Sequence, residues 1–151
     1  MPIFRQSISI RASRGSVWRV LANAEQFNLQ SDDTREEITS AQRQGVGTTL
    51  RVTRQIAFLS IALDGRMTEW VDAQVMASEW SSGLPFAIAT RVRMELFDEN
   101  DGTRLEREYA VNVRFPIFGK LLESFLTRNT TREMRSLLER IKQAAEKFEG
   151  G

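Results

Sequence analysis

The sequence predicts an α+β protein in which a curved, seven-stranded antiparallel sheet wraps a long C-terminal helix, with two short helices after the first strand. The sheet is indicated by alternating apolar and polar residues between positions 34 and 114, which turns interrupt but no helical period does. The helix is indicated by a proline-free stretch from Ile117 to about Phe148 with apolar residues at helical spacing. A helix this long needs a broad apolar surface, which only the sheet offers. We therefore expect an apolar, small-molecule-sized cavity between them.

Each element has its own signal along the chain. Phe4 to Arg11 alternate as a half-buried strand does, and Ser13 can cap a helix that runs to about Phe27. The polar segment Asn28 to Asp33 is expected to hold the second short helix. Six further strands are predicted at 34–43, 48–57, 60–70, 74–81, 87–98 and 103–114. Turn residues separate them at Gly45-Val46-Gly47, Val71-Asp72-Ala73 and Asn100-Asp101-Gly102, so consecutive strands should pair as an antiparallel meander.

Composition restricts the possible chemistry. A chain of 151 residues, 41% of them apolar, fits a single ligand-binding domain over residues 1–151. It contains no cysteine and no histidine, which excludes thiolate nucleophiles, Ser-His and Cys-His pairs, and thiolate or imidazole metal sites. We therefore expect no metal and no cofactor, and any chemistry falls to carboxylates, Arg, Lys, Tyr and hydroxyl groups.

The charge balance and the N-terminus predict partners and location. With 21 basic and 20 acidic residues the net charge is +1, too small to attract nucleic acid or an anionic membrane. The N-terminus lacks the apolar stretch of a secretory signal, and the longest nearly unbroken apolar run, Ile56 to Leu63, is too short to span a bilayer. We expect a cytoplasmic monomer or homodimer without stable membrane insertion.

The order of the elements is that of the helix-grip fold, and short motifs extend the likeness to sequence. They are Ser7-Ile8-Ser9-Ile10-Arg11-Ala12 running into Val17-Trp18-Arg19-Val20-Leu21, Gly45-Val46-Gly47-Thr48, Met67-Thr68-Glu69-Trp70, Gly102-Thr103-Arg104-Leu105, and Phe115-Pro116 before the Leu-rich helix. Over essentially its whole length the chain resembles the START-like (SRPBCC) superfamily, which includes plant Bet v 1 allergens, and within it the bacterial polyketide cyclase/dehydrase group. One departure is Val71-Asp72-Ala73, where that group usually has an Asp-Pro pair. The resemblance implies enclosure of a hydrophobic ligand and, in a minority of members, aldol cyclisation and aromatisation.

Strand parity selects the side chains that should face the interior. Glu69 shares the parity of the apolar residues before it, and Arg107 and Tyr109 share that of Leu105 and Val113. The predicted ligand-binding residues are Leu50, Val52, Arg54, Ile61, Leu63, Met67, Met76, Trp80, Val111, Phe118, Leu122 and Phe125. An equally good interpretation of Glu69 and Arg107 is a buried ion pair without function.

Two functions fit these residues. The first is binding or carriage of a hydrophobic or aromatic small molecule, lipid-like or polyketide-like, whose polar end is oriented by Glu69, Arg107 and Tyr109. The second, suggested by the resemblance, is a cofactor-independent polyketide cyclase or dehydratase in which Glu69 is the base and the other two stabilise an oxyanion. A protein-interaction module is disfavoured because the helix's apolar stripe is committed to the sheet. Binding ranks first because it requires only the cavity.

Overall fold

Seven strands form one open, curved antiparallel sheet in the computed structural model, which describes residues 3–27, 29, 34–56, 59–82, 88–113, 128 and 130–150. The strands are β1 (Ile3–Ile10), β2 (Thr34–Ile38), β3 (Thr49–Ile56), β4 (Leu59–Val71), β5 (Val75–Ser81), β6 (Ile88–Glu99) and β7 (Gly102–Val113). They lie in the order β1-β7-β6-β5-β4-β3-β2, so β2 to β7 form a meander and β1 closes beside β7. The helices within the described residues are α1 (Arg14–Ala22) and α2 (Thr130–Gly150). The predicted helix-grip architecture is confirmed.

Helix α1 ends earlier than the apolar spacing predicts. Ser13 caps its start, since the Ser13 side chain accepts a hydrogen bond from the Ser16 N–H at 3.2 Å. At the other end the Asn23 side-chain amide donates to the carbonyl of Arg19 at 2.9 Å, which takes the acceptor that the next helical N–H would use. Residues 23–27 then form a turn instead of continuing the helix to Phe27. The second short helix predicted over 28–33 lies outside the described residues, except for the buried Leu29.

Strand β2 is also shorter than predicted, ending at Ile38 rather than at position 43. Backbone pairing continues just beyond β2, where the N–H groups of Thr39 and Ser40 donate to the Thr49 carbonyl at 2.8 and 3.4 Å, and the rest of the connection to β3 is closed by its own side chains. The Gln42 side-chain amide donates to the carbonyls of Gln44 and Val46, at 2.7 and 2.9 Å, and Ser40 Oγ donates to the Gln42 carbonyl. These local bonds satisfy backbone groups that a longer strand would have paired.

Strand β4 contains an irregularity that decides which residues face inward. Met67 pairs with Ser78, but Glu69 pairs with Ala77, so one extra residue, Thr68, is inserted in the ladder. The alternation therefore changes phase, and Trp70 rather than Glu69 lies on the inner face. The expectation that Glu69 faces the interior is wrong for this reason.

Helix α2 packs directly on β1 and α1 and stands apart from the middle strands. Its buried residues are Thr130, Met134, Leu138, Ile141 and Ala145. The opposite face carries the ion pairs Arg135–Glu139 and Lys142–Glu146, one helical turn apart, as expected for a solvated face. The predicted first part of this helix, residues 117–127 and 129, lies outside the described residues. No helix within the described ranges combines the length and apolarity needed to cross a bilayer.

Candidate ligand-binding cavity

A cavity of about 1080 Å³ lies between α2 and the inner faces of β3 to β7. It exists because the described part of the helix, Thr130–Gly150, rests on β1 and α1, at one edge of the curved sheet, and not on the middle strands. Small-molecule sites usually measure about 300 to 1000 Å³, so this space is large enough for an extended or multi-ring molecule. Apolar side chains contribute most of the wall, and α2 contributes Met134, Leu137 and Ile141 to it.

The cavity floor consists of three rows of inner-face residues that cross the strands. In β7-to-β4 order, the first two rows are Arg107-Met94-Met76-Trp70 and Tyr109-Val92-Ser78-Met67. The third row is Val111-Thr90-Trp80-Gly65, continuing to Leu50 of β3; its members Thr90, Trp80 and Leu50 line the cavity, whereas Val111 and Gly65 do not. Neighbouring strands lie about 4.8 Å apart, so a four-residue row spans about 14 Å. The two polar groups that parity selected on β7 thus stand at one end of rows that are otherwise mainly apolar.

Trp80 lies across the floor because its neighbour on β4 is a glycine. A Cβ atom on Gly65 would stand 2.3 Å from the Trp80 ring, so the indole occupies the space that any other residue would fill. The Trp80 indole N–H donates to Ser78 Oγ at 2.8 Å, which fixes the ring in place. Trp70, by contrast, packs edge-on against Trp18 with ring centroids 5.3 Å apart. Two of the three tryptophans of the chain therefore line the cavity.

Arg107 is the most unusual group in the cavity wall. Its Nε atom is enclosed and has no hydrogen-bond partner, although part of the residue remains accessible. No carboxylate of the described residues forms an ion pair with it, and its guanidinium carbon lies 5.5 Å from the centroid of the Tyr109 ring. Burial lowers the pKa of Arg107 to about 10, so the side chain is still positively charged at neutral pH.

Tyr109 responds to the same environment in the opposite direction. Burial raises the pKa of its hydroxyl because the phenolate is the charged form, while the neighbouring positive charge of Arg107 partly opposes that rise. The hydroxyl is therefore protonated at neutral pH and able to donate a hydrogen bond. Arg107 and Tyr109 together present donors and positive charge to whatever occupies the cavity.

The other cavity-lining arginines are compensated in different ways. Arg54 forms an ion pair with Glu133 of α2, and Arg43 pairs with Glu25 at 3.2 Å. Arg140 donates to the carbonyl of Leu29 at 3.0 Å, and Arg132 is exposed to solvent. Within the described wall, Arg107 is thus the cation that combines burial with the lack of an anionic or carbonyl partner.

The structure brings most of the parity-selected residues into one wall. Those that line the cavity are Leu50, Val52, Arg54, Leu63, Met67, Met76, Trp80, Arg107 and Tyr109. Ile61 and Val111 do not: they are buried in a separate cluster with Ile88 and Val113, and Leu63 and Tyr109 pack between that cluster and the cavity. Phe118, Leu122 and Phe125 lie outside the described residues. That any of them contacts a ligand remains a prediction.

Glu69 stands apart from this wall. Its side chain is 44% exposed and lies 3.4 Å from the guanidinium of Arg93 on the outer face of the sheet. The interpretation of Glu69 and Arg107 as a buried ion pair is therefore wrong as well, because the two residues point to opposite faces. The bulge at Thr68 turns Glu69 to the outer face, whereas Arg107 lies on the inner face.

Sequence reasoning missed several wall residues. Thr90, Val92 and Met94 of β6 alternate with charged or small residues, so parity alone would have found them. Met134, Leu137 and Ile141 belong to the helix stripe, which the sequence indicates without showing which of its residues face the cavity. Trp70 could not have been found by alternation because it follows the bulge.

Comparisons with known proteins agree with this architecture. The family model described as polyketide cyclase / dehydrase and lipid transport matches residues 1–146. No protein with a curated description matches the chain. Among solved structures, the protein TTHA0849 from Thermus thermophilus is 20% identical with a TM-score of 0.74, covering 95% of this chain and 97% of that one.

Two further solved structures have the same fold. The Zhui aromatase/cyclase from Streptomyces sp. R1128 is 18% identical with a TM-score of 0.70, covering 94% of each chain. A START superfamily protein from Mycobacterium smegmatis is 15% identical with a TM-score of 0.69, covering 93% of this chain and 97% of that one. At these identities the likeness establishes the fold and leaves the ligand open.

Proposed function

The chain belongs to the polyketide cyclase / dehydrase and lipid transport family, and from that premise we propose that it binds or carries a hydrophobic small molecule, lipid-like or polyketide-like, in the cavity between sheet and helix. The observation that carries the proposal is the cavity itself, about 1080 Å³ with mainly apolar walls and a few placed polar groups. That combination is typical of small-molecule sites. A packed interior would have put side chains of α2 against the middle strands.

The apolar rows of the floor support an elongated or planar ligand. A molecule lying along the row Arg107-Met94-Met76-Trp70 would contact two methionines, whose flexible side chains adapt to varied shapes, and an aromatic ring. Burial of apolar ligand surface against these residues contributes about 25 cal/mol per Å² before the cost of ordering the ligand. Binding therefore needs only the apolar contacts that the wall residues already provide.

A second candidate is a cyclase or dehydratase that acts on such a ligand. It is favoured by the adjacent donors Arg107 and Tyr109, which could stabilise an enolate or alkoxide oxygen, and by the likeness to an aromatase/cyclase fold. Glu69 cannot serve as its base from the outer face of the sheet. The carboxylate that borders the cavity and acts electrostatically on Tyr109 is Glu133, so the base of an enzymatic mechanism would fall to Glu133.

The test is native mass spectrometry of the freshly purified protein, followed by solvent extraction and identification of what is released. We expect a stoichiometric apolar adduct. The variant Val92→Trp, which fills the middle of the floor, should lose the adduct, whereas Ala89→Trp on the exposed outer face of the same strand should keep it. If Val92→Trp folds by circular dichroism and retains the adduct, the ligand lies elsewhere and the proposal is wrong.

Incubating the identified ligand with the protein separates carriage from catalysis. Release of the unchanged compound supports a carrier. Conversion that is lost in Glu133→Gln and in Arg107→Met, but not in Glu69→Gln, supports the enzyme. Conversion that survives the first two substitutions would refute this assignment of roles.

A further inference from the structure

Arg107 places a partly buried positive charge, with its Nε atom fully enclosed, at one end of the cavity, and no carboxylate of the described residues pairs with it. The wall's other arginines are paired, hydrogen-bonded to a carbonyl or exposed, whereas Arg107 has no ion pair with a described residue and has its guanidinium carbon 5.5 Å from the centroid of the Tyr109 ring. Its Nε–H is enclosed and unsatisfied. A buried cation in this condition is costly to the protein, and such uncompensated groups concentrate at binding sites.

Resting on the proposed function, we propose that the ligand is a hydrophobic monocarboxylic acid whose carboxylate binds Arg107. The planar guanidinium presents parallel N–H groups that match the two oxygens of a carboxylate. The hydroxyl of Tyr109, the next inward-facing residue on β7, supplies a further donor from the same side.

The count of charges selects a monoanion. One cation lacks a partner, so one negative charge restores neutrality, and the second charge of a phosphate monoester would itself be buried unpaired. Arg54 does not supply the missing positive charge because Glu133 already neutralises it. The hydrocarbon part of the acid then extends over Met94, Met76 and Val92, away from the charged end of the floor.

Competition binding with matched ligands tests this inference. The protein is stripped of co-purified ligand, loaded with the neutral fluorescent probe N-phenylnaphthylamine, and titrated with dodecanoic acid, dodecanol or dodecyl phosphate. We expect the acid to displace the probe at a concentration at least about tenfold lower than the alcohol, since a charge-assisted pair adds to an equal apolar contribution. Dodecyl phosphate should compete no better than the acid.

Two substitutions assign the preference to one side chain. Arg107→Met should abolish the difference between acid and alcohol, with both displacements corrected for the probe affinity measured for that variant. Arg91→Met, the same substitution on the outer face of β6, should preserve the difference. Arg107→Lys keeps the positive charge but loses the parallel N–H groups of the guanidinium. It should therefore weaken binding of the acid several-fold and leave binding of the alcohol unaffected. This variant tests the inference even if Arg107→Met does not fold.

The outcomes separate the inference from the proposed function. If the probe does not bind the stripped protein and no adduct is extracted, the cavity does not take hydrophobic ligands and both fail. If the probe binds but acid and alcohol displace it equally, the function stands and the carboxylate assignment is overturned. A preference for the acid that persists in Arg107→Met, or stronger competition by dodecyl phosphate, overturns it too.

Discussion

Replacing Arg107 with methionine is expected to stabilise the ligand-free protein. Burial in the folded protein lowers the pKa of Arg107 from the usual arginine value to about 10, because burial disfavours the charged form. Each tenfold change in proton affinity corresponds to about 1.4 kcal/mol, so keeping the buried side chain charged costs about 3 kcal/mol. The contact with the Tyr109 ring opposes this by about 1 kcal/mol and is lost in the variant. The net gain in the free energy of unfolding is therefore about 2 kcal/mol.

The gain in the free energy of unfolding of Arg107→Met should also depend on pH. Because the folded pKa of Arg107 lies below its unfolded value, the unfolded chain binds more protons from about pH 10 up to the usual arginine pKa, and wild-type stability rises over that window. Below it the full cost of the charged side chain is present. The advantage of Arg107→Met is thus constant at neutral pH and shrinks as the pH rises through 10.

Urea unfolding of the stripped protein, followed by circular dichroism, measures this difference. We expect Arg107→Met to unfold at a higher urea midpoint, with an unchanged slope of the unfolding free energy against urea concentration. The free energy of unfolding of the exposed control Arg91→Met should change by no more than about 0.5 kcal/mol. If Arg107→Met unfolds at a lower urea concentration than the wild type, the guanidinium is compensated in the folded protein. The reasoning that assigns it to a ligand would then fail.

The remaining predictions concern the floor and the termini of the fold. Tyr109 is the one tyrosine of the chain, so the absorbance of tyrosinate reports its pKa directly. We expect this pKa to be raised above the usual tyrosine value and to rise further in Arg107→Met, and a fall in that variant would contradict the contact between the two residues. Gly65→Ala should destabilise the protein by about 1 to 3 kcal/mol and change the fluorescence of Trp80, because the new methyl group meets the indole; an unchanged spectrum and stability would contradict the packing. The pKa of Glu146 is lowered by the lysine one turn before it and by a backbone N–H of the β1–α1 connection, so its contribution to stability is present above pH 4.5 and lost as the pH falls through the lowered value. The urea midpoint of Glu146→Gln should therefore lie below that of the wild type at neutral pH and converge with it in acid, and a constant difference would refute the assignment.

Local sequence predicted the elements because their signals are local. Alternation with period two and turn residues such as Asn100-Asp101-Gly102 act over a few positions, and the β6–β7 turn forms at that place. Element ends were less predictable, since side-chain bonds such as that of Asn23 at the end of α1 and that of Gln42 in the β2–β3 connection compete with backbone pairing. Whether a side chain or a backbone N–H takes a given carbonyl depends on the conformation of the folded chain, which residue spacing does not show.

In the cavity, too, some residues were predictable from local sequence and others were not. Parity placed Trp80, Arg107 and Tyr109 correctly in the cavity wall, because within an unbroken strand every second side chain faces the same side. Parity failed for Glu69 because the bulge before it arises from the pairing of β4 with β5. The spacing of residues within β4 does not indicate such a bulge. The sequence by itself determined the seven strands, the amphipathic helix over its described part and the absence of cysteine and histidine chemistry. Only the tertiary structure decided that Arg107 lacks a carboxylate among the described residues, since partners across a sheet or between sheet and helix come together through folding and not through spacing along the chain.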